Sequence, residues 1–286
     1  MAEPLKNQAK GKFKSSRPDF ASIAGLAVAI GALLGGLTME GGKVADVTQV
    51  TAAIIVLGGT LGAVMVTSPM SSLASALSGL KKVFFEEVID PQAAIDDIVA
   101  YATKARKHSL ISLESDLEAI DDPFLKKALM LAVDGTDLQE LRKMIELELI
   151  QEEKRVEVEA KVFEAAGGYS PTIGIIGAVM GLIQVMKHLE NIEEVGRGIA
   201  VAFVATVYGV AAANLFFLPA ANKIKARGQK DVQLKELLLE GVESILEGMN
   251  PKMIRSKLEA FVKKSGKNDK QEAAARPAGA PATVRS

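Results

Sequence analysis

Four long stretches of this chain contain no Asp, Glu, Lys, Arg or His: Phe20–Met39, Val47–Leu80, Ala165–Met186 and Gly198–Asn222. A helix crosses the hydrocarbon core of a bilayer with roughly 20 predominantly apolar residues, and each stretch holds such a run. The charged residues are gathered between them. A water-soluble fold of this size would instead spread its charges over the outer faces of amphipathic elements around one core. The pattern therefore predicts an all-α integral membrane protein, with four transmembrane helices in two hairpins and a large helical cytoplasmic domain. The basic N-terminus followed by an apolar run could also be a signal peptide. The run is long, a second follows closely and no small-residue cleavage site stands out, so it is read as a retained span. The chain has no cysteine, which leaves no disulfide or thiolate site.

The expected organisation follows the charges. Residues 1–19 form a basic flank with Lys6, Lys10, Lys12, Lys14 and Arg17, which should stay in the cytoplasm. Residues 20–69 form the first hairpin, 70–164 a cytoplasmic helical domain, 165–222 the second hairpin and 223–264 cytoplasmic C-terminal helices. An Ala, Pro and Gly-rich tail, 265–286, is expected to be disordered. Lys81 and Lys82 after span two, and Lys223, Lys225, Arg227 and Lys230 after span four, place both termini inside. Asp90-Pro91, Asp122-Pro123 and Asn250-Pro251 are helix-start signals. Asp134-Gly135 is a turn signal, and Leu138–Phe163 reads as one long charged helix that can run into span three. Ser170 with Pro171 would make a good helix start, and Pro219 a simple helix end. Short outer loops are expected at Thr38–Asp46 and Lys187–Arg197.

Small residues recur at close-packing spacing. Gly31 and Gly35, Gly58 and Gly62, and Gly177 and Gly181 are each four apart, and Gly174, Ala178 and Gly181 share a helical face. Such spacing lets another helix backbone approach, within the chain or in an oligomer. The interiors of the spans offer only neutral polar groups, Thr60, Gln184, Thr206, Tyr208 and Asn214. An ionisable residue inside a membrane is costly and marks ion or proton pathways. If this chain conducts a cation, the carboxylate must come from a partner. His108 and His188 lie outside the span interiors, and no nucleophile–base pair or metal cluster is visible. Neither an enzyme nor a metal site is expected.

Three strings carry a resemblance. YSPTIGIIGAVMGLIQVMKHL, RGIAVAFVATVYGVAAANLFFLPAANKIK and EGVESILEGMNPKMIRSKL, with two spans before a cytoplasmic insert of roughly a hundred residues, resemble the flagellar motor stator subunits of the MotA type. The resemblance covers about residues 20 to 262. It implies a multi-pass protein of the bacterial inner membrane, five copies of which surround a peptidoglycan-binding MotB-type partner whose span carries the ion-binding aspartate. Proton flow would then drive the rotor's switch complex through the cytoplasmic domain. No cofactor and no nucleic acid is expected.

Residue by residue, Pro171 and Pro219 match the family prolines that couple ion binding to movement, and Thr206 matches a threonine of span four found across the family. Arg106 and Glu114 match the charged pair that engages the rotor. On one continuous helix they would lie within about 80° of each other, at about 100° per residue. Ala178 stands where sodium-driven relatives carry a threonine. Sodium prefers oxygen ligands and a methyl group supplies none, so the resemblance implies protons rather than sodium. The alternative is an ExbB/TolQ-like proton channel subunit energising another envelope process, although those relatives have one span before the cytoplasmic domain. A solute transporter would more naturally show intramembrane charges or inverted repeats.

Overall fold

The computed structural model of the protein describes residues 14–275. Lys6, Lys10 and Lys12 of the basic flank, and residues 276–286 of the tail, lie outside the described residues. Among the described residues, four helical runs are long and apolar enough to cross a membrane: Phe20–Met39, Val44–Thr67, and parts of Leu138–Lys187 and Ile192–Leu246. The chain divides into two compact units. Ser16–Glu87 with Glu153–Gln229 forms the span unit, and Val88–Glu152 with the chain from Lys230 onward forms a helical unit.

In the span unit, span one starts where the Asp19 carboxylate accepts a hydrogen bond from the Ser22 N–H, satisfying an orphan donor of the first turn. Span two contains a turn of π-helix, Ile54–Gly58, between α-helical Val50–Ala53 and Gly59–Thr67. It stops before Pro69, which lacks an N–H to continue the ladder, and Met70–Gly79 begins a new helix. A two-stranded ladder is added to the expected helices: Lys14–Pro18 pairs with Phe85–Ile89.

The helices of the second hairpin differ from expectation at both prolines. Leu138–Lys187 is one unbroken helix of 50 residues with Pro171 inside it, so Ser170 is a fully buried mid-helix residue and no N-cap. An interior proline costs about 3 kcal/mol. Burial of Val162, Phe163 and Ala166 on the preceding turns, at roughly 1.5–3 kcal/mol for each large apolar side chain, offsets that cost and holds the helix together. Pro219 does not end span four either. The run continues from Ile192–Ala211 through a π-helical segment, Ala212–Phe217, into Leu218–Leu246. The connection between the two runs is also shorter than expected. Asn191 caps the Ile192 helix by accepting from the Glu193 and Glu194 N–H groups at 3.1 and 3.4 Å, and Arg197 pairs back to both glutamates on the first turns.

In the helical unit the cap signals appear as read. Asp90 accepts from Gln92 and Ala93 to start Pro91–His108. Asp122 accepts from Leu125 at 2.9 Å to start Pro123–Val133. Asn250 accepts from Lys252 at 3.0 Å to start Pro251–Ala275, a helix that runs beyond residue 264, the expected end of the C-terminal helices, and takes in the first part of the expected tail. Gly135 and Gly248 sit at φ +79° and +69°, where a side chain would be strained. The core joins Ile98, Leu129, Leu141, Ile145, Leu238 and Leu258.

Beside that core lies a costly carboxylate. Asp97 is 8% exposed, and burial, helped by the adjacent Asp96 charge, pushes it up to about 6. The same burial, followed by the Asp97 charge, pushes the Tyr101 hydroxyl up to about 12. Because the folded chain holds the Asp97 proton more tightly than the unfolded one, stability falls as pH rises from about 4 to about 6 and stays lower above. Asp97→Asn should therefore stabilise the protein at pH 7.5 by about 1–3 kcal/mol, at roughly 1.4 kcal/mol per pKa unit. It should also flatten the stability profile between pH 4 and 6. Denaturation of the detergent-solubilised protein across that range checks both.

Candidate functional site

Spans three and four meet along a seam in which glycine lets backbone touch backbone. A methyl group on Gly174 would lie 2.9 Å from the Ala205 carbonyl oxygen and 3.5 Å from the Thr206 Cα. One on Gly181 would lie 2.7 Å from the Gly198 carbonyl oxygen, and one on Gly209 would lie 2.5 Å from that of Ser170 and 3.2 Å from the Pro171 Cα. Lipid tails give no hydrophobic drive for helix association, so close van der Waals packing of this kind is what holds such helices together. Span two joins the pair, with Ile173 against Gly59 and Ile55 against Gly177. Ala52, Val56, Val204, Ala205 and Tyr208 cluster beside them.

The seam gathers Pro171 and Thr206, while Ala178 lies half-buried on the same helix between Gly177 and Gly181. The Thr206 hydroxyl donates back to the Ala202 carbonyl at 3.2 Å, so its proton is spent on its own helix. Pro219 is exposed, but Leu218 beside it packs on Gly167, one turn before Pro171. Each helix thus lacks one backbone donor: Pro171 cannot donate to the Gly167 carbonyl, nor Pro219 to that of Leu215. In span four the ladder widens to π geometry just before the proline, a local adjustment that recurs at functional positions. The seam contains no group that could bind or carry a proton by itself.

Arg106 and Glu114 are both exposed, and they do not share a helix. Arg106 lies in the last turn of Pro91–His108. The chain then turns at Ser109, passes through the 3₁₀ segment Leu110–Leu113, and Glu114 opens the short helix Glu114–Leu117. Ser109 adopts φ 76°, ψ 162°, a region populated almost solely by glycine and costing about 1–3 kcal/mol. Hydrogen bonds from the Ser112 hydroxyl to the Ser109 carbonyl at 2.7 Å, and from the Lys104 ammonium to Asp116 at 2.7 Å and Ser115 at 3.2 Å, hold the corner. Arg106 and Glu114 therefore stand on the two arms of one braced turn.

Sequence reasoning left several residues out. The Tyr208 hydroxyl, counted only as a neutral polar group, donates to the Val47 carbonyl at 2.6 Å and accepts from the Gln49 N–H at 3.3 Å. Lys223 and Arg227, both partly exposed, form an ionic cluster around the buried Asp19 carboxylate. No local signal marks these long-range pairings. Gly209 could have been found, since Ala205 and Gly209 repeat the four-residue spacing of small side chains noted in span three.

The chain matches the model of the Motility protein A N-terminal family over residues 23–108 and that of the MotA/TolQ/ExbB proton channel family over residues 116–237. It is 36% identical to Motility protein A of Bacillus subtilis (strain 168) over 244 residues, 84% of this chain and 89% of that protein. Among solved structures it is similar to the flagellar MotAB stator complex from Bacillus subtilis, with TM-score 0.80 and 33% identity over 88% of this chain and 99% of that one. It is also similar to C. jejuni MotAB, with TM-score 0.79 and 30% identity over 85% and 95%. Both family regions occur in order, and identity above three in ten extends along most of both chains, so this chain belongs to the MotA family of flagellar stator subunits within the MotA/TolQ/ExbB proton channel proteins.

Proposed function

We propose that the chain is the ion-conducting stator subunit of a flagellar motor, coupling inward proton flow to torque on the rotor. The observation that carries this reading is the seam of Pro171, Gly174, Thr206 and Gly209: two charge-free helices in backbone contact, each with an interior proline. Such a pair can shape an ion path but needs a carboxylate from another chain. A MotB-type, peptidoglycan-binding partner supplies it, and the similarity to solved MotAB complexes supports that assignment. Phe203 and Val179 leave apolar surface open, at 71% and 52% exposed, which neighbouring copies in a pentamer, the partner and lipid would cover. Both termini lie in the cytoplasm, on the side of Lys81, Lys82, Lys223 and Lys225, and Arg106 with Glu114 meets the switch complex there.

Ala178 favours protons over sodium because it offers no oxygen ligand. With the chain and its partner expressed in a motile cell lacking stators, swimming speed should follow the proton gradient and ignore external sodium when the two are varied independently. Sodium dependence would keep the stator and overturn the ion. No motility, despite a confirmed partner and normal amounts in the membrane, would favour an ExbB/TolQ-like channel instead.

A further inference from the structure

Span one buries none of its twenty residues within the chain, so its own packing does not fix where it stands. Two polar contacts, at opposite ends of the first hairpin, tie that hairpin to the fourth helical run. At the loop end, the Tyr208 hydroxyl satisfies both the Val47 carbonyl and the Gln49 N–H at the entry of span two. At the other end, the Asp19 carboxylate, 5% exposed, meets the Lys223 ammonium and the Arg227 guanidinium. Arg227 also donates to the Lys82 and Phe85 carbonyls, and the Asp19 N–H donates to Phe84 at 2.8 Å. One cluster thus gathers the start of span one, the chain leaving the first hairpin and the continuation of span four.

We propose that Tyr208 and Asp19 are positioning residues that pin the first hairpin to the fourth helix at both ends and so fix the stretch of span four from Tyr208, two residues after Thr206, to Lys223. A hydroxyl that both donates and accepts at fixed backbone groups allows no axial slip of span four past span two, since a shift of one residue moves it about 1.5 Å and breaks both bonds. A buried carboxylate between two cations is similarly intolerant, because parting them strands charges away from water. Between Tyr208 and Lys223 lie the π segment and Pro219. With both ends held, span four can move against the first hairpin only by bending or twisting within that interval. The proposal rests on the stator reading.

The test uses the full chain with its partner in cells lacking stators, and records rotation of a bead on a single motor as stators engage one by one. The unaltered chain must give speed steps; if it gives none, the stator reading itself fails. Tyr208→Phe, which removes one oxygen and keeps the ring, and Asp19→Asn are each expected to lower the height of the speed step at least two-fold, with the amount of protein in the membrane unchanged. Asp19→Glu, which keeps the charge, should recover part of the loss. Steps of unchanged height, with only their number or the membrane content reduced, would show a purely stabilising role and overturn the proposal. If Asp19→Asn fails to accumulate, the step height of Tyr208→Phe decides.

Discussion

Gly209→Val should abolish accumulation of the protein in the membrane, and motility with it. The side chain would start 2.5 Å from the Ser170 carbonyl oxygen, 3.1 Å from the Gly174 Cα and 3.2 Å from the Pro171 Cα. All three are backbone atoms, so no rotamer change can make room, and spans three and four would have to separate along the seam. Overpacking a core typically costs about 1–3 kcal/mol when side chains can adjust; here the separation also removes the close contacts that replace a hydrophobic drive in lipid. Gly62→Val is the matched comparison. Nothing lies within 4 Å of a methyl group there, and that variant should accumulate normally. Quantifying both in membrane fractions checks the pair, and normal levels of Gly209→Val would show that the seam does not hold the helices together.

The contrast between those two glycines also shows where the sequence stops informing. Gly31 with Gly35, Gly58 with Gly62, and Gly177 with Gly181 have identical spacing, yet only the last pair meets another helix closely within the chain. Spacing shows that a backbone could approach and says nothing of which one does. The spans themselves are legible because charge-free runs of this length have few alternatives, and the helix starts at Asp90, Asp122 and Asn250 because a cap is a contact over two or three residues. Ser170-Pro171 carries an equally good local start signal and is overridden, since burial on the preceding turns outweighs one lost hydrogen bond. Pro219 fails to end its helix for a related reason: a π turn absorbs the missing donor, and no residue pattern announces a π turn. The ladder of Lys14–Pro18 with Phe85–Ile89 joins segments about seventy residues apart, beyond the reach of any periodicity. Of the candidate residues, Pro171 and Thr206 do lie along one seam, opposite Gly209 and Gly174, whereas the relation of Arg106 to Glu114 depends on Ser109, whose left-handed backbone is unusual for serine.

That braced corner gives the second large effect. Arg106→Glu and Glu114→Lys should each reduce swimming by more than half while leaving membrane content and thermal stability unchanged. Both side chains are exposed, and exposed charges contribute roughly 0–1 kcal/mol to folding, so reversal removes little that holds the unit together. What it changes is the sign of the field presented by one arm of the turn, and like charges brought together across an interface cost several kcal/mol. Alanine at either position removes an attraction without adding a repulsion and should therefore be milder than reversal. Lys127 and Glu148 supply the comparison, an exposed pair 2.6 Å apart elsewhere in the helical unit, where reversal of either charge should leave swimming intact. If reversal at Lys127 or Glu148 impaired swimming as much as reversal at Arg106, the rotor would be reading the overall charge of the unit. If Arg106→Glu and Glu114→Lys both swam normally, the corner would have no part in the rotor contact.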